Sequence, residues 1–181
     1  MAVFTKINSK DIKKIENIFN LGVINKVEGI KKGIENTNYI IKFNNTKFVL
    51  TIFEKRVKTK DLPFFMNLMS GLSNLKINCP KPMKTKKKSY LFNIKNKKAC
   101  LVSFLKGDDK KTLTPKDCYV LGKNIAILHK ATKKLKLYRK NSLDVKSWSN
   151  LKINCPKPMK TKKKSYLFNI KNKKACLVSF L

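Results

Sequence analysis

The sequence predicts an α+β fold, with helices stacked beside an antiparallel sheet. Three features predict it. Short runs rich in β-branched and aromatic residues follow one another with turn residues between them, as hairpins require. Apolar residues recur at helical spacing in three separate stretches. The elements come in blocks of helix, three strands, helix, two strands, helix, rather than one strand to one helix.

SKDIKKIENIF opens with Ser9 as the expected N-cap, followed by Ile12, Ile15, Ile18 and Phe19 at helical spacing, and Gly22 punctuates its end. VINKVEGIKKGIENTNYIIKF reads as strand, turn and strand, with Gly29 and Gly33 as the turn glycines. KFVLTIFEK, preceded by the turn NNT, is a third strand and completes an antiparallel meander. DLPFFMNLMSGL is helical through Phe64, Phe65, Leu68, Met69 and Leu72, with Asp61 near its N-terminus. INCPKPM is a connector, because its two prolines cannot continue a helix. SYLFNI-KNKK-ACLVSFL reads as a hairpin, and KGDDKKTL as a loop. TPKDCYVLGKNIAILHKA is an amphipathic helix capped by Thr114, with Pro115 at its first position and a stripe of Val120, Leu121, Ile125 and Leu128. LKLYRKNSLDVKSW is a weakly patterned tail.

The 33 residues Ser73–Leu105 recur without a substitution at Ser149–Leu181. A working array needs several stacked units, and an old duplication would have drifted. The repeat therefore reads as a copy joined onto a fragment. Its apolar strands, Tyr166–Ile170 and Ala175–Leu181, have no designated partner, so they add to a sheet edge, displace their twin or stay loose.

The net charge is +33, from 41 Lys and only Arg56 and Arg139. The repeat carries nine Lys and no acid, so the charge without it is +24. Base readout and bidentate phosphate contacts favour Arg, and the Lys residues are spread over the whole chain beside 19 Asn. This pattern describes a solvated surface rather than a specific nucleic-acid interface. The alternative, a Lys-rich module for RNA or anionic surfaces, requires steeply salt-dependent binding to arbitrary nucleic acid. The five cysteines show neither CxxC pairs nor zinc-finger spacing and read as buried or half-buried small hydrophobes. No apolar run approaches the ~20 residues that span a bilayer, and MAVFTKINSKDIKKIENIF lacks a signal peptide's apolar stretch. A cytoplasmic protein without a membrane partner is expected.

Two strands joined by a glycine-bearing turn can cover a nucleotide's phosphates, since backbone N–H groups approach closely only where side chains are missing. Alone, GIKKG is a structural turn. Its neighbourhood carries more. GIKKGIENTNYIIKF, FVLTIFEKR, DLPFFMNLM, CPKPM, LVSFLKG and LGKNIAILHKA follow in an order and spacing that resemble the bacterial homoserine kinases of the aminoglycoside-phosphotransferase/choline-kinase-like group. MAVFT is also similar to their opening, and the resemblance extends over roughly residues 1–148.

The resemblance implies a protein kinase-like small lobe over residues 1–107, the start of the large lobe over 108–148, and a partnerless or artefactual copy over 149–181. It implies transfer of the γ-phosphoryl of ATP to L-homoserine, in threonine biosynthesis, with Mg²⁺. Gly29–Asn38 would form the loop over the ATP phosphates, with Gly29, Gly33, Asn36 and Asn38 as contacts. Val49–Lys55 would be the strand that brings a basic residue to the phosphates; Thr51 occupies that place, and Lys55 is the substitute. Asp61–Leu72 would match the αC-like helix, with Ser70 where an acidic partner is usual. Val102–Leu105 would be the hinge strand, offering the adenine edge the backbone of Ser103, Phe104 and Leu105, with Gly107 beginning the turn out of the lobe. The H-G-D-x-x-x-x-N loop and the downstream metal-binding Asp of the family are absent, and His129 of ILHKA matches a different family position. No catalytic residue and no metal ligand is therefore assigned, and the chain is expected to be inactive alone.

Overall fold

The computed structural model describes residues 3–55, 57–108 and 110–141, with short strands at 157–158, 168–170, 173–175 and 178–179. The chain divides into two compact units, Met1–Arg139 and Lys140–Leu181.

In the first unit, helix α1 (Ser9–Ile18) starts one residue earlier than its cap was expected. Asn8 is the N-cap: its side chain accepts the Asp11 N–H at 3.0 Å, and the Asp11 carboxylate accepts the Asn8 N–H at 3.0 Å. Asn8 wins over Ser9 because only from position 8 does an acid stand three residues on to close the box. Strands β1 (Ile24–Gly29), β2 (Thr37–Phe43), β3 (Thr46–Ile52), β4 (Phe92–Ile94) and β5 (Lys97–Ser103) form one antiparallel sheet in the order β1-β2-β3-β5-β4. The meander is as the sequence predicts, and the hairpin forms with Lys97 and Lys98, read as turn, inside β5. Lys95 and Asn96 turn the β4–β5 hairpin with φ of 47° and 61°, the paired left-handed geometry that matches strand twist.

INCPKPM does more than connect. The Ser103 N–H donates to the Lys81 carbonyl at 2.9 Å and the Met83 N–H to that of Leu101 at 2.8 Å. Residues 81–83 thus extend the edge begun by β4, and Pro82 sits where a missing N–H faces outward.

The alternating pattern of β2 and β3 gives the sheet two unlike faces. Tyr39, Ile41, Phe43, Phe48, Leu50 and Ile52 point to one face, where Ile15 and Phe19 close over them. On the other face Cys100 and Val102 pack beneath Met66 of α2 (Leu62–Asn74). Asn38, Ile40, Val49 and Thr51 share that second face and are only half-buried.

Asp61 precedes α2 but gives it no side-chain cap. Its carboxylate instead accepts from Arg139 at 2.9 Å, and that guanidinium lies 5.3 Å from the Phe65 ring centroid. A side chain at Gly71 would meet Leu135 at 2.8 Å. Part of the weakly patterned tail is therefore folded back on α2. Helix α3 (Pro115–Lys134) starts as expected, with Thr114 capping Asp117 and Pro115 in the first turn. Its apolar stripe is open: Leu121 is 60% exposed, Val120 and Ile125 are exposed with it, and of its residues only Ala131 is buried. Cys100 is buried and Cys79 half-buried, but Cys118 on this helix is exposed, which corrects the expectation for that residue. Among the described residues no helix is long and apolar enough to cross a membrane.

In the second unit, β6 (Lys157–Pro158) pairs with β9 (Val178–Ser179), and β7 (Phe168–Ile170) with β8 (Lys173–Ala175), both antiparallel. The rest of Tyr166–Ile170 and Ala175–Leu181 lies outside the described residues.

Candidate nucleotide-binding face

The half-open face is bounded at both ends by residues the sequence singled out. At one end, β1 and β2 are joined by residues 30–36, and the Ile30 N–H donates to the Asn38 carbonyl at 2.9 Å as the last rung before the loop opens. Gly29 closes β1 where a Cβ would stand 2.9 Å from the Val3 side chain. Gly33 has φ of 126°, a conformation that side chains disfavour. Lys31–Glu35 are exposed. The loop is therefore narrow at its root and open at its tip.

Asn36, Asn38 and Thr51 meet beside this loop. The Asn38 Oδ1 accepts the Thr51 hydroxyl at 2.7 Å, across the directly opposed pair of β2 and β3. The Asn36 Oδ1 accepts the Glu54 N–H at 3.2 Å. Thr51 presents a hydroxyl to the open face where a cation was sought. Lys55 is not on this strand. The expected strand Val49–Lys55 ends at Ile52, and Lys55 lies in an exposed turn beyond it. The register sets this end: Ile52 is the last residue paired on both sides, with Thr37 and Ala99, and beyond it the Phe53 N–H still reaches the Lys98 carbonyl at 2.9 Å.

At the other end, β5 stops at Ser103, so Phe104 and Leu105, expected to belong to a hinge strand, leave the sheet. The Phe104 N–H still donates to the Lys47 carbonyl at 3.3 Å, and the Lys47 ammonium lies 5.6 Å from the Phe104 ring centroid. The Ser103 hydroxyl accepts the Lys81 N–H at 2.9 Å. Leu105 is exposed, and open space surrounds Gly107. The 30–36 loop and residues 104–105 stand at opposite ends of β3, about 20 Å apart for seven residues at ~3.3 Å each. By register Lys26, Glu28, Lys42 and Lys47 share the open face, and Lys26 pairs with Glu28 at 3.0 Å.

On α2, Ser70 bonds with the Tyr90 hydroxyl at 2.7 Å. The helix thus ties to the residues before β4 through neutral groups. His129 is exposed on α3. Among the described residues no three His, Cys, Asp or Glu side chains cluster as a metal site would.

The sequence reading missed Glu54. Its carboxylate accepts from Thr5 at 2.7 Å and Thr37 at 2.8 Å, and pairs with Lys97 through its other oxygen. It clamps the N-terminal segment, the start of β2 and the start of β5 at the root of the loop. Burial pushes the Glu54 carboxyl upward, but the bonds from Lys97, Thr5 and Thr37 outweigh this and hold it below its ordinary range. The one available signal was its place: a rare acid, among ten in the chain, directly after the last core residues of a strand.

The sequence pattern of the phosphotransferase enzyme family (APH) matches residues 26–170. The chain belongs to that family. It is 35% identical over 155 residues to the homoserine kinase of Parvibaculum lavamentivorans, covering 86% of this chain and 48% of that protein. It is 36% identical over 151 residues to the homoserine kinase of Allorhizobium ampelinum, covering 83% of this chain and 47% of that one. The chain thus spans about half the length of the curated relatives it matches. The crystal structure of spectinomycin phosphotransferase APH(9)-Ia, in complex with ADP and spectinomycin, aligns with a TM-score of 0.56 over 81% of this chain and 47% of that one. At 15% identity this likeness carries the fold, a five-stranded antiparallel sheet with flanking helices, and nothing finer.

Proposed function

We propose that residues 1–107 form the ATP-gripping small lobe and hinge of a homoserine kinase, and that 108–148 begin its large lobe. The supporting observation is the uncovered sheet face, bounded by the glycine loop at one end and by Ser103–Leu105 at the other. A nucleotide fits the residues present. Gly29 and Gly33 let the loop backbone approach phosphates, Asn38 and Thr51 offer polar groups beside them, and exposed backbone past Ser103 suits an adenine edge. The names of the relatives supply the acceptor, L-homoserine, and with it a place in threonine biosynthesis.

No Mg²⁺ ligand is assigned: among the described residues no three His, Cys, Asp or Glu side chains cluster. A phosphoryl transfer needs a carboxylate to orient the attacking hydroxyl, and the sequence has no H-G-D-type loop. This chain therefore holds nucleotide without turning it over, and the open stripe of α3 is where the large lobe of a longer protein packs. A soluble, cytoplasmic location accords with this role.

Titration calorimetry with ATP, paired with a homoserine-dependent ADP-release assay, tests the proposal. The expected result is saturable ATP binding with no homoserine-dependent turnover. An absence of saturable binding contradicts the nucleotide site, and turnover by this chain contradicts the missing catalytic carboxylate. Binding to arbitrary RNA more tightly than to ATP would favour the Lys-rich module instead.

A further inference from the structure

Phosphates held at the root of the glycine loop need a positive charge, and the two polar side chains beside it, Asn38 and Thr51, are neutral. Register decides which lysines of the open face can answer them. Lys42 stands opposite Lys47 across β2 and β3, and opposite Lys26 across β1 and β2. All three lie at the Phe104 end of the sheet, away from the loop, and Lys26 is engaged by Glu28 at 3.0 Å.

The loop end of this face is served from β5. Thr51 stands opposite Cys100, and two positions on, the Phe53 N–H donates to the Lys98 carbonyl at 2.9 Å. Alternation puts Lys98, Cys100 and Val102 on the face of Thr51, and Lys97 on the other face, where Glu54 holds it. Lys98 is thus the diagonal neighbour of Thr51, a separation of typically about 7–8 Å that a long side chain can cross. Met66 covers Cys100 and Val102, whereas Lys98 is half-buried and its partner on β4, Asn93, is exposed. Lys98 lines an open cleft of about 280 Å³ with Phe53, Lys55 and Val57. Glu54 and Lys97 line it too, already paired with each other. Among the described residues Lys98 has no ion-pair partner.

We propose that Lys98 is the residue that meets the nucleotide's phosphates, reaching them from β5 rather than from β3. This inference rests on the nucleotide site proposed above and adds the charge which that site lacks. Thr51 and Asn38 bond to each other and form the floor. Lys98 extends past Thr51 toward the loop, its stem lying along the sheet and its ammonium free of any competing carboxylate. Lys55 lines the same cleft, but from an exposed turn beyond β3, with no strand to fix its direction.

The test is titration calorimetry of the full chain with ATP and with adenosine. Lys98→Met keeps the stem and removes the charge. It is expected to weaken ATP binding about tenfold or more, with adenosine binding and the urea-unfolding midpoint unchanged. Lys98→Gln should repeat the loss, Lys98→Arg should restore most of the affinity, and Lys55→Met should leave it as it was. Wild-type binding of ATP with no loss in Lys98→Met and Lys98→Gln overturns the role of Lys98 and leaves the nucleotide site standing. Equal losses for ATP and adenosine overturn it as well, because a phosphate contact cannot weaken adenosine. A larger loss in Lys55→Met than in Lys98→Met moves the role to the turn and overturns it for Lys98. No saturable binding of ATP by the wild type removes the site and this role together.

Discussion

The two faces of the sheet are built to different standards. The α1 face is mainly apolar and closed: Ile15, Ile41, Leu50, Ile52 and Leu101 have no exposed surface. The α2 face is covered over β5 but open over β2 and β3, where Asn38 and Thr51 meet. Alternation along a strand assigns one set of residues to each face, so one sequence encodes both without compromise. The closed face supplies stability. The open face, flanked by a glycine loop, is the one proposed to take the nucleotide.

The contrast is broken most strongly from the closed side. Leu50→Ala, at the centre of that core, is expected to cost about 2–5 kcal/mol, measured by urea unfolding. An effect as small as that of an open-face substitution would show that the core lies elsewhere.

Glu54 sits where the closed sheet meets the loop, and Glu54→Gln is expected to cost about 1–3 kcal/mol by weakening its three partnerships. The effect depends on pH in a defined direction. The folded-state pKa is held below the ordinary 4.5, so the unfolded chain binds the proton first as pH falls. The contribution is complete above the unfolded value and is lost as pH drops through the lowered folded value. Stability of the wild type should fall in this acid window, and Glu54→Gln should flatten that part of the curve. An unchanged curve would remove Glu54 from the clamp.

Smaller effects belong to the loop and the open face. Gly33→Ala strains a backbone at φ 126° and is expected to cost about 1 kcal/mol, with a larger proportional loss of ATP affinity. Thr51→Val should change stability by no more than about 1 kcal/mol while weakening ATP binding. A stability loss from Thr51→Val rivalling that of Leu50→Ala would erase the distinction between the faces. Lys26 and Glu28 form an exposed pair at 3.0 Å, and its removal should leave the midpoint unmoved.

Much of this was legible in the sequence because it is local. Strand periodicity, the paired glycines and the Thr114-Pro115 helix start are all written within a few residues. The α1 cap slipped by one position because Asn8 and Ser9 are both good caps, and only the partner three residues on separates them. The third strand was read three residues too long because FEK continues the strand pattern, whereas Ile52 is the last residue paired on both sides. Glu54 was invisible for a different reason. Its partners Thr5 and Lys97 lie 49 and 43 residues away, and no periodicity links them. The edge made by Lys81–Met83 was read as mere connector because its prolines hide that alternate residues still pair.

Hydrogen exchange with and without saturating ATP tests the two-faced sheet most directly. Added protection is predicted in the loop at 30–36 and just past Ser103, with the α1 core unchanged. Protection confined to α1 and its core, or none at either end of the open face, would contradict it.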